Sequence, residues 1–586
     1  MPAARRASLV VVLVSALAVA APSAAQGPLG ALNDLGALSQ GTGQTPDTVP
    51  VQKPAAPPMD AVPRADCGPG AKPEPSIQGR VPAGAAANGL QCNLVQISHQ
   101  GTSGGFKVYR YVDAAGHECA YYDTALLFPL NAFNVNTEGL GVAVLDMSDP
   151  AHPVQTATLT EPAMLSPHES LNLNQRRGLL AAVTGNPGTY PGYVSIYDVS
   201  KDCRAPELQS SGLYARLGHE SGFSEDGRTF YAAGTATQSI TAIDVTDPKA
   251  PHAVWQGNVV SHGMTLSEDG NRAYIAEPIG RQLLILDTSE IQARKANPQA
   301  REISRTTWDR ASIPQNAIPF TRGGKPYVLE FDEYNASTLG SGSADDVGAG
   351  RILDVSDERA PKVVSNLRLQ INQPAEHKEF GADPGADGQI RGGAQGYAAH
   401  YCNIPTRVDP TIVACSFIAS GLRLFDISDV TAPKEIGYYV PPTNARVENS
   451  GMASAYAMSQ PVFVPARHEV WFTDGTSGFY ALRVVNGAWP AATPATPGGG
   501  AKACRSQRVF TIHLKHPDGD RTRSARVTVD GKRVKVRSGT PHFTARVDLR
   551  GKRKKVVVVR VVSRTKSGRV VRETRRYRTC SPGRAR

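Results

Sequence analysis

Between residues 92 and 486 short apolar runs alternate with turn-forming polar stretches, and one phrase returns. Its clearest copy is GLRLFDISDVTAPKEIGYY (421–439): an apolar run, Asp426, then Ser428 and Asp429, a turn containing Pro433, and a second apolar run. Close copies are GVAVLDMSDPAHPVQTATL (141–159), YVSIYDVSKDCRAPELQSS (193–211), SITAIDVTDPKAPHAVWQG (239–257), QLLILDTSE (282–290) and RILDVSDERAPKVVSNLRL (351–369). A degenerate seventh, GFYALRVVNG (478–487), lacks the aspartate. The repeated aspartates Asp146, Asp198, Asp244, Asp287, Asp354 and Asp426 stand 43 to 72 residues apart.

The run before each Asp is too short for a helix and rich in Val, Ile and Leu, which predicts a buried strand. The Asp-x-Ser-Asp-Pro stretch predicts a tight turn, because Asp and Ser side chains bond nearby backbone and Pro fixes φ. A second, more exposed strand follows. Upstream lies a further strand pair, well seen in HESGFSEDGRTFYAAG (219–234), where SEDG is the hairpin turn. Four strands per repeat at this period predict an all-β chain built on a seven-bladed β-propeller. The last repeat supplies three strands, one near 454–464, then EVWFTD and GFYALRVV. Residues 92–98 are therefore expected to lend it an outer strand and close the ring. The phrases AVLDMSDP, AIDVTDP, ILDVSD and LFDISD resemble the LVIVD-repeat family of secreted β-propellers, over roughly residues 92–486. The resemblance implies the fold and export; it carries no biochemistry.

Flanking segments set the compartment and the domains. Arg5 and Arg6, the apolar LVVVLVSALAVA and the small residues Ser23-Ala24-Ala25 predict a secretory signal peptide over residues 1–25. No later stretch approaches the roughly 20 apolar residues of a spanning helix, so a secreted or cell-surface-associated protein is expected. Residues 26–91 are rich in Pro and Gly and are expected to form a disordered leader before the propeller of residues 92–486. Residues 487–503, with Pro, Thr, Ala and Gly, read as a tether. Beyond it, residues 504–586 contain six short strand signals and the hairpin dipeptide Asp530-Gly531, which predict an immunoglobulin-like β-sandwich. Its VVVVRVV run is expected to be a central strand buried on both sides.

Charge divides along the same boundary. Residues 504–586 hold 26 Lys+Arg against 5 Asp+Glu, a net of +21 in a chain whose total is +11, so the remainder is acidic. A basic module beside an acidic propeller suggests an anionic envelope surface as partner. Nucleic acid is disfavoured by export and by the lack of interleaved aromatics for base stacking. The eight cysteines fit disulfides in an exported chain. Cys504 and Cys580 bracket the basic module, and Cys402 and Cys415 lie on consecutive strands of one blade, so each pair is expected to be bridged. Cys67, Cys92, Cys119 and Cys203 leave three connectivities open. No Cys-x-x-Cys, no Gly-x-Ser-x-Gly and no phosphate-binding Gly-rich loop is present.

Candidate chemistry comes from the register of the inner strands. His168, His219, His262 and His400 each stand 13 residues before equivalent positions of the next strand, namely Ala181, Ala232, Ile275 and Val413. The same register places Asn316 in the intervening blade, and Glu169 and Glu220 follow two of the histidines. At the head of channel-lining strands these side chains would converge on one axis, with the histidines as metal ligands and Glu169, Glu220 and Asn316 as ligand-binding neighbours. Such residues also serve in propellers simply to bond loop backbone or hold water. Two insertions, 331–350 and 371–397, break the regular spacing and are expected on one face, where long loops on a rigid scaffold carry function. Two functions follow. The first is a non-enzymatic binding protein that meets a protein or glycan on its propeller face. The second is a metal-dependent oxidoreductase or hydrolase using a divalent metal at the channel histidines.

Overall fold

The computed structural model describes residues 43–82, 84–126, 135–185, 192–339, 342–380, 383, 396–443, 455–491, 509–514, 520–538, 543–549 and 556–578. The expected signal peptide and both Cys504 and Cys580 lie outside them. The chain forms two compact units, residues 1–495 and 496–586.

Among the described residues of the first unit, seven antiparallel sheets of four consecutive β-strands, or five where a leader strand joins, follow one another. The first consists of Val108–Val112, Glu118–Asp123, Val142–Asp146 and Val154–Leu159. Five more occupy residues 172–213, 222–257, 263–306, 313–367 and 399–440. The last takes Val462–Val464, Glu469–Asp474 and Gly478–Val484 from the end of the unit, and its fourth strand, Leu94–Gln100, from the beginning. In each sheet the strand that comes first in these groups lies at one edge. Residues from all seven edge strands, Val108, Asn172, Gly222, Thr265, Asn316, Asn403 and Val462, line a single cavity of about 280 Å³. This is the arrangement of a β-propeller.

The repeated phrase acts through one hydrogen bond. The third strand of each of six sheets is buried up to its terminal Asp. That Asp then accepts from the backbone N–H two residues on, at 2.8–2.9 Å, in all six: Asp146, Asp198, Asp244, Asp287, Asp354 and Asp426. These are Asx-type turns that start the return to the fourth strand. The pairing of third and fourth strands also shifts by one residue at the same place in all six sheets, a bulge that adds twist. The degenerate seventh copy has no such turn to make, because its neighbour Leu94–Gln100 arrives from the other end of the unit.

The expected disordered leader is corrected over residues 43–91. Val51–Gln52 pairs in parallel with Arg301–Thr306, and Leu90–Cys92 pairs with Lys434–Val440. Val62, Ala65, Val81 and Ala86 are buried against the sheet residues. Composition misleads because the leader's partners lie hundreds of residues away. The strongest of these is Arg423, fully buried, whose guanidinium donates to Glu74 at 2.9 Å and to Glu435 at 3.0 Å and stacks over Tyr438. Glu435 also accepts from the Ala65 N–H and from the Gln78 amide.

Disulfides join Cys67 to Cys92, Cys119 to Cys203, and Cys402 to Cys415, the last across directly paired residues of adjacent strands. Three bridges suit an oxidising compartment. No helix among the described residues is long and apolar enough to cross a membrane.

The second unit packs a three-stranded sheet (Val509–Leu514, Phe543–Asp548, Val536–Arg537) with a four-stranded one (Lys532–Val534, Thr522–Val529, Val556–Thr565, Val570–Arg578). Ile512, Val527, Val529, Val547, Val557 and Val559 form their shared core. Asp530 and Gly531, at φ 46° and 83°, make a two-residue turn of the type that requires positive φ at both positions. The VVVVRVV strand is central in its sheet but is not buried on both sides. Val557, Val559 and Val561 face the core while Arg560 faces solvent, because one sheet covers one face alone.

The leader's contribution is measurable. Glu74→Ala should leave the buried Arg423 charge half-neutralised and lower the stability of the first unit by about 3 kcal/mol. The urea midpoint reads this directly; an unchanged midpoint would mean the leader does not support the ring.

Candidate functional site

The four histidines sit at the heads of four edge strands. His168 precedes Asn172–Asn174, His219 precedes Gly222–Phe223, His262 precedes Gly263–Leu266, and His400 lies within Ala399–Asn403. The ladder reaches them: the His219 N–H donates to Ala233 and the His262 N–H to Ala276. Ring centroids of His168 and His219 are 4.5 Å apart, and those of His219 and His262 are 4.7 Å apart. Phe106 packs between His168 and His400.

Two carboxylates complete the cluster. Glu169 Oε2 is 3.1 Å from His219 Nε2, and Glu169 Oε1 is 3.4 Å from His400 Nε2. Glu333 Oε1 is 3.4 Å from His262 Nε2, and Glu333 Oε2 is 3.0 Å from His400 Nε2. Potential ligand atoms of His168, Glu169 and His219 lie within 4.8 Å of one another, as do those of Glu169, His262 and Glu333. No single trio holds three of the histidines; each set combines imidazole with carboxylate.

The imidazoles are oriented by backbone. His262 Nδ1 donates to the Pro314 carbonyl at 2.8 Å, and His400 Nδ1 to the Met458 carbonyl at 2.6 Å. His168 hydrogen-bonds the backbone of Leu126. These three rings therefore turn their other nitrogen inward; His168 Nδ1 is buried with no hydrogen-bond partner, while His219 Nε2 and His400 Nε2 meet the carboxylates described above. This is how metal-ligating histidines are held elsewhere in proteins, with one ring N–H fixed by a carbonyl and the other nitrogen free to coordinate. Glu169 is anchored from behind: Tyr401 donates its hydroxyl at 2.9 Å and Gln315 its amide to Oε2.

Burial and neighbouring charge divide the titrations. Burial, with the His219 ring beside it, lowers His168 to about 3. Burial also lowers His262, against the pull of Glu333. For His400 burial is outweighed by Glu169 and Glu333, which raise it to about 9. Burial acts against ionised Glu169, but His219 and His400 hold it well below the usual carboxylate range.

Two sequence-predicted neighbours face elsewhere. Glu220 accepts from Lys107 Nζ and from the Asn316 amide, while Asn316 Oδ1 accepts from the Thr265 hydroxyl at 3.1 Å. Glu220 and Asn316 line the 280 Å³ channel cavity. They form its floor rather than part of the histidine cluster. The divergence is a matter of backbone. His168 has a left-handed φ of 51°, whereas His219 and Glu220 form a bend without positive φ just before the strand Gly222–Phe223. Gly263 is required at this floor, since a Cβ there would lie 2.1 Å from Glu220 Oε2.

Glu333, Tyr401, Gln315 and Lys107 are the residues that sequence reasoning missed. Glu333 ends the second strand Lys325–Glu333, where the acidic 331–350 insertion begins; that insertion was the available signal. A further trio, Asp113, His117 and Asp202, is a turn rather than a site, because Asp113 is occupied by the N–H groups of Ala115, His117 and Cys203.

No protein-family model and no curated protein matches the chain. Among solved structures it is similar to the periplasmic gluconolactonase of Pseudomonas aeruginosa, at 12% identity over 60% of this chain and 91% of that one, with a TM-score of 0.44. It is also similar to a putative 6-phosphogluconolactonase of Bacteroides fragilis, at 11% identity over 59% and 89%, TM-score 0.37. The WD40 repeats of RRP9 align at 8% identity over 70% and 100%, TM-score 0.39. These neighbours span lactonases and WD40 repeats, and at such identities none assigns a chemistry.

The floor of the channel cavity has a pH signature. Burial raises Glu220 above its ordinary value, opposed chiefly by Lys107. A raised carboxyl stabilises the fold fully below its unfolded pKa, near 4.3, and that contribution is lost as pH climbs through the folded value. Lys107→Met should therefore steepen the fall in urea midpoint between pH 5 and pH 8, costing about 3 kcal/mol at the upper end. Parallel pH profiles for parent and variant would show that Lys107 does not govern the Glu220 charge.

Proposed function

We propose that the protein is an exported, metal-dependent enzyme of hydrolytic type, whose cation is held by His168, Glu169 and His219 at the head of a propeller channel. The observation that carries this is the compact trio itself: ligand atoms of His168, Glu169 and His219 lie within 4.8 Å of one another, with His168 Nδ1 buried and without a hydrogen-bond partner. His219 Nε2 and Glu169 Oε2, 3.1 Å apart, need a proton or a cation between them. Two imidazoles and one carboxylate leave a coordination position open, the arrangement of catalytic rather than structural zinc sites, and water bound there is activated as a nucleophile. Imidazole and carboxylate without thiolate suit zinc or manganese. Glu169, held by Tyr401 and Gln315, keeps its oxygens aimed at the ion.

In the same proposal the seven sheets are blades of an LVIVD-type ring and the second unit is an immunoglobulin-like sandwich. A separate observation favours an anionic envelope surface as partner. Arg526 and Arg572 flank Val562 on adjacent strands, and Arg560 and Arg564 stand on the same face of that central strand, all exposed. Four guanidinium groups on one flat sheet suit an anionic polymer, which would retain the enzyme where a protein or glycan substrate is met.

Metal analysis of protein purified without an affinity tag should find divalent metal bound to the chain. His168→Ala combined with His219→Ala should reduce the metal content while circular dichroism stays that of the parent. Protein that neither contains nor takes up a divalent ion on dialysis would overturn the proposal.

A further inference from the structure

Resting on that metal assignment, we propose that the cluster is a two-cation centre in which Glu169 is the bridging carboxylate. One cation belongs to His168, Glu169 and His219; the other belongs to Glu169, His262 and Glu333, with His400 beside it.

The donor spacings carry the argument. Ligands bound to one ion at about 2.1 Å stand roughly 3.0 Å apart at right angles and roughly 3.4 Å apart at tetrahedral angles. In the second set His262 Nε2 and Glu333 Oε1 are 3.4 Å apart, a gap of this size; His400 Nε2 lies beside the set, 3.0 Å from Glu333 Oε2 and 3.4 Å from Glu169 Oε1. In the first set His219 Nε2 and Glu169 Oε2 are 3.1 Å apart. The two oxygens of Glu169 thus face different histidines, Oε2 toward His219 and Oε1 toward His400, as a carboxylate bridging two ions does. Each trio is compact, and Glu169 is the one residue common to both.

Charge and orientation support the second ion independently of the first. His262 and His400 each give one ring N–H to a backbone carbonyl, of Pro314 and Met458, which leaves Nε2 of both facing carboxylate oxygens. The inward Nε2 of His262 and the carboxylates of Glu169 and Glu333, all enclosed, make a pocket that a divalent cation suits. The two positions also differ in access. The first trio is partly exposed through its histidines, whereas Glu169, His262 and Glu333 are all buried. The outer ion is placed to meet water and substrate; the inner one fixes the bridging carboxylate and draws charge from it. Paired ions of this kind lie on the order of 3.5–4 Å apart and share the charge of a displacement reaction.

The test uses the full chain, stripped with a chelator and reloaded with Mn²⁺ or Zn²⁺, then freed of loose metal by gel filtration. Two ions per chain are expected, and the manganese form should give the exchange-coupled electron paramagnetic resonance spectrum of a close pair, a readout that needs no variant. Glu333→Gln, which preserves shape, and His262→Ala should each reduce the content to one ion and abolish the coupling. One ion per chain in the parent, unchanged by either substitution and uncoupled, would overturn the two-cation centre while leaving the single site intact. No ion at all would overturn both.

Discussion

The first unit depends on one strand being supplied out of order. Leu94–Gln100 is made early and pairs with Gly478–Val484, made nearly four hundred residues later. A run of four-stranded sheets has two open ends, and each open end exposes unpaired backbone along a sheet edge. Pairing the beginning of the unit to its end turns that row into a ring, and only in a ring do seven edge strands face one another across a shared cavity. The cluster of His168, His219, His262 and His400 exists because of this closure. These residues lie on four different sheets, and no local contact would bring them together.

Closure also determines what the axis can contain. The channel lining mixes aliphatic side chains such as Val108, Leu173 and Ile318 with polar ones, and the strand heads add imidazole, carboxylate and one lysine. Burying such groups costs free energy unless each is paired. Most are: Lys107 with Glu220, Asn316 with Thr265, Tyr401 with Glu169. The exceptions include His168 Nδ1 at the strand heads and, in the channel, Glu220 Oε2 and Gln315 Oε1. At the strand heads two carboxylates, Glu169 and Glu333, meet the four rings.

Much of this was legible in the chain because the controlling contacts are local. A buried Val/Ile/Leu run followed by Asp and a turn residue needs nothing distant to read it, and the Asp acts within two residues of itself. The histidines were legible for a related reason, since a repeat places equivalent residues in equivalent places. Register alone could not tell which side of the strand head a residue takes. Glu169 and Glu220 occupy the same slot in the repeat, yet the backbone is left-handed at His168 and not at His219, and the two carboxylates meet different partners. Glu333 escaped because it comes from the end of a second strand, outside the slot that was compared. The leader escaped because composition counts apolar residues and not the distant arginine that one glutamate will neutralise.

The leader's two added strands have a consequence for how these molecules behave toward each other. The outermost strand of a blade is the natural template for pairing with another chain, and long flat edges invite polymerisation. Val51–Gln52 and Leu90–Cys92 lie along the outer edges of two sheets, and Cys67–Cys92 pins the second of them in place. A segment with the composition of a linker thus works as a guard strip, blunting two of the sheet edges open to pairing with another chain.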